Sequence, residues 1–324
     1  MMIRLLLPLL IAAACNGVKT NATTPDAPPD ASQFSDAMEP PISPHDDEGG
    51  EVRLEWIHDS AGRNTARATA FFYKQENPAW HMLPAFPGCV DVRARTTWPL
   101  AQGAATYVDV GSVFVESQHG SALVLAKDST GRDGGTATED FLGRPHDLWW
   151  KKLPDFTAND GDTYYPPDAL YNVLLAGTNE WPAKVYAGVA YMPASFTPVT
   201  PPEDTSFGLP AGPLATTYTR GTNANLPADW GGSYETVFTS PNFVDSKGVE
   251  LPIVVCRSDL EAGATTVPSA FVDLIRSYAT GTLIRQVVVD HIVEFSDGSP
   301  RATANRKRLD VLGIRSYTTT WSAI

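Results

Sequence analysis

The stretch at 282–296, TLIRQVVVDHIVEFS, decides the fold class. In an extended chain successive side chains point to opposite faces. Leu283, Val287, Val289, Val293 and Phe295 then lie on one side, and Gln286, Asp290 and Glu294 on the other. Alternation of this kind marks a half-buried antiparallel strand. The segment FSDGSPRATANRKR (295–308) leads from it to LDVLGIRSYTTTW (309–321), and the two strands are expected to pair as a hairpin with a long loop.

Segments of the same character recur along the chain: VRLEWIH (52–58), ARATAFFY (66–73), CVDVRA (89–94), TYVDVGSVFVES (106–117), SALVLAK (121–127), HDLWWKKL (146–153), VYAGVAYM (185–192), YETVFTS (234–240) and LPIVVCR (251–257). They are rich in β-branched and aromatic residues and are separated by Gly, Pro, Asn and Asp, which favours sheet over helix. One helix is expected in VPSAFVDLIRSYA (267–279), where Phe271, Leu274, Ile275 and Tyr278 recur at i, i+3, i+4 and i+7. Pro268 suits its first turn and Gly281 its stop. The fold class is therefore all-β, an antiparallel β-sandwich with one short helix. The Pro-rich stretch FTPVTPPEDTSFGLPAGP (196–213) offers a boundary between lobes at 51–200 and 201–324, each of the size of an Ig-like or jelly-roll-like sandwich. A single continuous sandwich with a long crossover is the alternative.

The chain begins MMIRLLLPLLIAAACNGVKTNATTPDAPPDASQ. Arg4 precedes an apolar run at 5–14 that is broken by Pro8 and ends in Ala12, Ala13 and Ala14. A membrane-spanning helix needs about 20 apolar residues, so residues 1–14 read as a signal peptide, and no later run is long enough to span. Small residues followed at once by Cys15 resemble the lipobox of bacterial lipoproteins. The resemblance implies that the Cys15 thiol carries diacylglycerol, that the leader is cut before it, and that the new amino terminus is acylated. Ala12 stands where the commonest lipobox has Leu, and the alternative is ordinary cleavage after an Ala-x-Ala signal. Asn16, where the family's inner-membrane retention signal has Asp, implies the outer membrane. Each buried CH2 contributes about 0.8 kcal/mol, so several acyl chains anchor stably where one does not.

Residues 15–50 have the composition of a disordered tether: six prolines (25, 28, 29, 40, 41 and 44), many small polar residues and a single aromatic, Phe34. A coil of that length reaches roughly 30 Å. TPDAPPDA in this tether, with GGSYETVFTSPNF and YVDVGSVFV in the body, resembles secreted β-rich lipoproteins of myxobacterial type, a resemblance that brings no activity with it.

The net charge of −13 argues against nucleic acid, which needs clustered cations. The basic run RATANRKR (301–308) reads as a solvated hairpin loop. Cys89 and Cys256 are bridged in an oxidising, exported setting or are two buried thiols; a bridge closing so long a loop stabilises by about 5 kcal/mol.

Motifs of chemistry are absent. No GxSxG elbow occurs, and Gly231-Gly232-Ser233 and Gly111-Ser112 suit turns. The six histidines, His45, His58, His81, His119, His146 and His291, form no HExxH pair. His291 reads as a hydrogen-bonded core residue, with Asp290 on the opposite face. PHDDE (44–48) reads as solvated linker. NDGDTYYPPD (159–168), with Asn159, Asp160, Asp162 and Asp168, is better read as turns than as a calcium loop. Trp149, Trp150, Tyr164, Tyr165 and Trp181 are the candidate ligand-stacking aromatics, core packing being the stronger reading; of the adjacent Trp149 and Trp150 one must face inward. No catalytic, cofactor or metal residue is assigned.

The expectation is a lipid-anchored envelope protein acting as a non-catalytic binding or structural module of the cell surface or periplasm. Its partners would be the membrane, through the anchor, and a glycan or protein ligand. One alternative is an anchored hydrolase of polysaccharide, since carboxylate separation is not readable from a β-rich sequence. Another is a subunit of a surface assembly, which would show an exposed apolar patch or a free sheet edge.

Overall fold

The computed structural model describes residues 49–73, 88–91, 108–117, 122–128, 149–152, 155, 157–203, 205–228, 230, 233–241, 254–259, 263–296 and 306–323. Residues 1–48, which include the stretches read as signal peptide and tether and Cys15, lie outside these residues, as do His81, His119, His146 and the 301–305 part of the basic run. Gly49 and Gly50, read as the end of the tether, are strand residues.

In chain order the elements are β1 (Gly49–His58), β2 (Asn64–Tyr73), β3 (Gly88–Asp91), β4 (Val113–Ser117), β5 (Ala122–Asp128), β6 (Trp149–Lys152), α1 (Gly161–Tyr164), β7 (Ala169–Leu175), β8 (Lys184–Met192), β9 (Phe196–Thr200), β10 (Phe207–Gly208), β11 (Leu214–Arg220), β12 (Ser233–Pro241), β13 (Val254–Asp259), β14 (Ala264–Val267), α2 (Ser269–Arg276), β15 (Thr280–Ser296) and β16 (Arg306–Ser322). The protein is an all-β sandwich. One hydrogen-bonded path runs β3-β13-β12-β15-β16-β1-β2-β6-β5-β4-β7-β8, with β10 beside the end of β16, and β14-β11-β9 form a separate sheet.

The opening stretch forms β15, which pairs with β16 from Thr280↔Ser322 to Ser296↔Arg306, the expected hairpin. Its half-buried character fails in the middle of the strand and holds toward Ile292, which is 41% exposed. Leu283, Val287 and Val289 are buried on one face, but so are Gln286 and Val288 on the other. The amide of Gln286 reaches buried acceptors, and Val288 packs with Ile314, so at 286–288 the polar side of the alternation is not a solvent side. The sheet is also not wholly antiparallel. β1 and β16 come from opposite ends of the chain and pair in parallel, Val52↔Val311 through His58↔Tyr317.

One face of the spine carries Leu309, Val311, Val287, Val52, Leu54, Trp56, Ala68 and Phe72. The path turns at β6 and β5, and the inner side chains of β4, β5, β7 and β8 close over that face: Val113, Val115, Leu123, Tyr171, Val173 and Tyr186. The two layers meet hardest at Gly313, where a Cβ would sit 1.8 Å from the carbonyl oxygen of Tyr191, so only glycine lets β8 lie on β16. A second core joins Val237, Val254, Leu283 and Trp321 to Leu214 and Val267 of the small sheet and to Val272 and Ile275 of α2. The expected amphipathic helix is thus present, shortened to Ser269–Arg276. Pro268 sits at its N-cap rather than within it, and Gly281 belongs to β15.

The division at 51–200 and 201–324 does not separate two sheets. β1 and β2 are flanked by β16 on one side, β3 pairs with β13, and all the described residues fall in one compact unit. The Pro-rich stretch contributes edge strand β9, which pairs with β11. Cys89 and Cys256 stand opposite each other in the β3–β13 register and are joined as a disulfide.

Candidate functional site

The aromatic cluster is the first place to look, and most of it faces inward. Trp150 and Trp181 are fully buried, with the Phe72 ring edge-on to both at 5.6 and 5.3 Å between centroids. Trp150 also donates its Nε1–H to the carbonyl of Gly111 at 2.7 Å. Tyr165 is buried edge-on to Tyr171, and burial pushes its phenol well above the ordinary value. These three rings have no face to offer a sugar or peptide, which corrects the stacking assignment for Trp150, Tyr165 and Trp181. Tyr164 is half-buried beneath the Lys152 ammonium, 5.5 Å from its ring centroid. The side chain of Trp149 lies outside the described residues.

The acidic segment 159–168 holds the chain together. Asn159 and Asp168 take left-handed backbone angles (φ +48° and +57°), which Asn and Asp tolerate in turns. Asn159 Oδ1 accepts from the Asn64 amide at 2.8 Å. Asp160 accepts from the Ala66 amide and is paired with Lys152, both at 2.9 Å. Asp162 accepts from Trp56 Nε1 and Asn64 Nδ2, each at 2.9 Å. Asp168 accepts from the Tyr191 hydroxyl and from Asn225. These oxygens latch α1 and its flanks onto β1, β2, β6, β8 and Asn225. Among the described residues no three His, Cys, Asp or Glu side chains converge as metal ligands.

The histidines are similarly placed. His291 Nδ1 lies 3.0 Å from the carbonyl of Val189, so with the proton on Nδ1 the ring donates to β8, and Trp230 stacks on it at 3.8 Å. His58 Nδ1 lies 2.7 Å from Asn64 Oδ1, and its ring forms a mutual cluster with those of Trp56 and Tyr317. Arg315 is a buried cation that sequence reasoning did not single out. It donates to the carbonyls of Pro193 and Tyr165 and lies 4.5 Å over the Trp56 ring. Burial pulls its pKa down, against the attraction of Tyr317, Asp162 and Tyr171.

On the opposite face of the spine a buried polar ladder crosses four strands. Glu55 Oε1 accepts from Gln286 Nε2 (3.0 Å) and Ser316 Oγ (2.7 Å), while Oε2 pairs with Arg67. Gln286 also donates to Ser316 Oγ at 2.8 Å. The arrangement could not be read from sequence, because its members lie up to 261 residues apart.

What faces solvent differs in kind. On the outer side of the β5-β4-β7-β8 layer, Val124, Phe114, Leu174 and Val185 are mutual register partners and form a continuous apolar row across four strands. Val124 and Val185 are each 60% exposed. An open hollow of about 330 Å³ lies along the row, lined by Phe114, Leu174, Ala176, Ala183 and Val185. Alternation within β4, β5 and β7 puts apolar residues on both faces, and that two-sided pattern was the available signal for this surface.

The chain matches no known protein-family model, and no curated protein matches it in sequence.

Proposed function

We propose that the protein is a lipid-anchored component of the bacterial envelope, held through acyl chains on Cys15 and the tether at the outer membrane, whose β-sandwich head is a non-catalytic binding or structural module. The leader ending in Ala-Ala-Ala-Cys supports the anchor. The observation that carries the binding role is the solvent-facing row Val124–Phe114–Leu174–Val185 with its apolar hollow. A contiguous apolar row on the solvent-facing side of a sheet is the kind of surface on which a partner docks. The carboxylates of the 159–168 segment are tied to Lys152, Trp56, Asn64, Tyr191 and Asn225, so the polysaccharide-hydrolase reading gains no support from them.

Two measurements on the full-length chain test this. Cells fed an alkyne-bearing palmitate should label the native protein and not Cys15→Ser. A photo-crosslinking residue at Val124 should give a discrete adduct in the envelope, whereas one at the exposed loop residue Thr222 should not. Equal labelling of both proteins refutes the anchor, and equal crosslinking at both positions refutes the docking face.

A further inference from the structure

We propose that the occupant of this face is a second copy of the same face, related by a two-fold axis lying along the strands between β4 and β7. Such an axis exchanges β5 with β8 and β4 with β7. It sets Val124 over Val185 of the second copy and Phe114 over Leu174 of the second copy, so the row covers itself.

Charge favours the same arrangement. Each head belongs to a chain carrying −13, which disfavours contact between most surfaces of two copies. On this face Glu116 is the single carboxylate of the two central rows, and its register neighbour is Asn172. The two-fold exchange places each Glu116 opposite Asn172 of the other copy. Asn172 Oδ1 already accepts from the Gly188 amide at 2.8 Å, which leaves its amide hydrogens to donate to the carboxylate. Within these two rows of described residues no like charges are opposed. The nearby cations are engaged elsewhere, Lys127 with Asp109 and Lys184 over the Tyr186 ring. Ala122, Ala126, Ala176, Ala183 and Ala187 flank the row and are exposed, so small side chains permit the sheet separation of about 10 Å that face-to-face packing requires.

Size sets the strength. Four strands about 4.8 Å apart and some five residues of about 3.3 Å cover roughly 300 Å² per copy. A standard stable interface takes about 800 Å² per partner. The pair is therefore weak in free solution and forms where heads are crowded on one membrane by short tethers. This last point rests on the anchoring proposed above.

The test uses full chains. On cells, Val124→Cys/Val185→Cys should be linked into a dimer by a bis-thiol reagent spanning about 8 Å, since facing sheets about 10 Å apart hold the two residues beyond direct disulfide reach. Val124→Cys alone should not, because its two copies lie about 14 Å apart across the face, beyond the reach of that reagent. Adding Leu174→Glu should abolish the dimer with the circular dichroism unchanged. In solution, Cys15→Ser at about 1 mM should show reversible dimers by sedimentation equilibrium, absent when Leu174→Glu is added. Equal crosslinking of the single and double cysteine variants, adducts only to a different protein, or a strictly monomeric Cys15→Ser chain would overturn the proposal. Dimers in solution together with equal cell-surface crosslinking with and without Cys15 would instead leave self-association standing and remove the anchor.

Discussion

Raising the pH past 11 should unfold the head through its tyrosines. Five of the 11 tyrosines, Tyr165, Tyr171, Tyr186, Tyr191 and Tyr317, have phenols raised above the usual value, in each case chiefly by burial. The shift at Tyr191 is reinforced by its hydrogen bond to Asp168, and Tyr317 is pushed up to about 12 against the opposing pull of Arg315. Because the folded values lie above the unfolded value of about 10, the stability these groups contribute is complete below pH 10 and is lost as the pH rises toward the folded values. At pH 11 an unfolded phenol is about nine-tenths ionised while a buried one is not, a cost of about 1.4 kcal/mol each, or about 7 kcal/mol for five. That rivals the total stability of an ordinary domain, about 5–15 kcal/mol. A near-ultraviolet tyrosinate titration run beside far-ultraviolet circular dichroism checks this. The expected record is an early phase from exposed tyrosines, then a steep, cooperative phase coincident with loss of the β signal. All the phenols titrating smoothly near pH 10 with the sheet intact would refute the reasoning.

Gly313→Ala should destabilise the head by at least the 1–3 kcal/mol of an overpacked core, because its methyl meets the backbone of β8 rather than a movable side chain; urea denaturation measures it. Glu55→Ala should cost about 3–5 kcal/mol by leaving Arg67 without its buried partner, and Glu55→Gln should recover part of that loss by keeping hydrogen-bonding capacity toward Ser316 and Gln286. Replacing Cys89 and Cys256 by Ser opens a loop with a sequence separation of 167 and should lower unfolding stability by up to about 5 kcal/mol, seen as a fall in the denaturation midpoint under non-reducing conditions.

Much of the sheet was legible because alternation survives in single strands. β15 and β16, β1, β2 and β8 fall within a few residues of the expected runs. β9 and β11 were not legible. FTPVT carries Pro198 and reads as a breaker, yet it sits at a sheet edge where a missing amide costs little. LATTYTR has only Leu214 and Tyr218 as large apolar residues on its buried side. The two-lobe division rests on composition and not on topology. Composition marks the proline-rich stretch as a linker, but it cannot report that β1 returns to pair with β16. The polar face of β15 misled for a similar reason: Gln286 looks solvated until Glu55 and Ser316 arrive from distant strands. The apolar row was invisible as a unit, since Val124, Phe114, Leu174 and Val185 belong together only through three strand registers.

The most direct test of the account is the mass of the amino-terminal peptide of the mature protein, purified from the membrane fraction. The account predicts a chain that begins at Cys15 and carries diacylglycerol on sulfur and an acyl group on nitrogen. An unmodified amino terminus, on a protein recovered free in the medium, would contradict it.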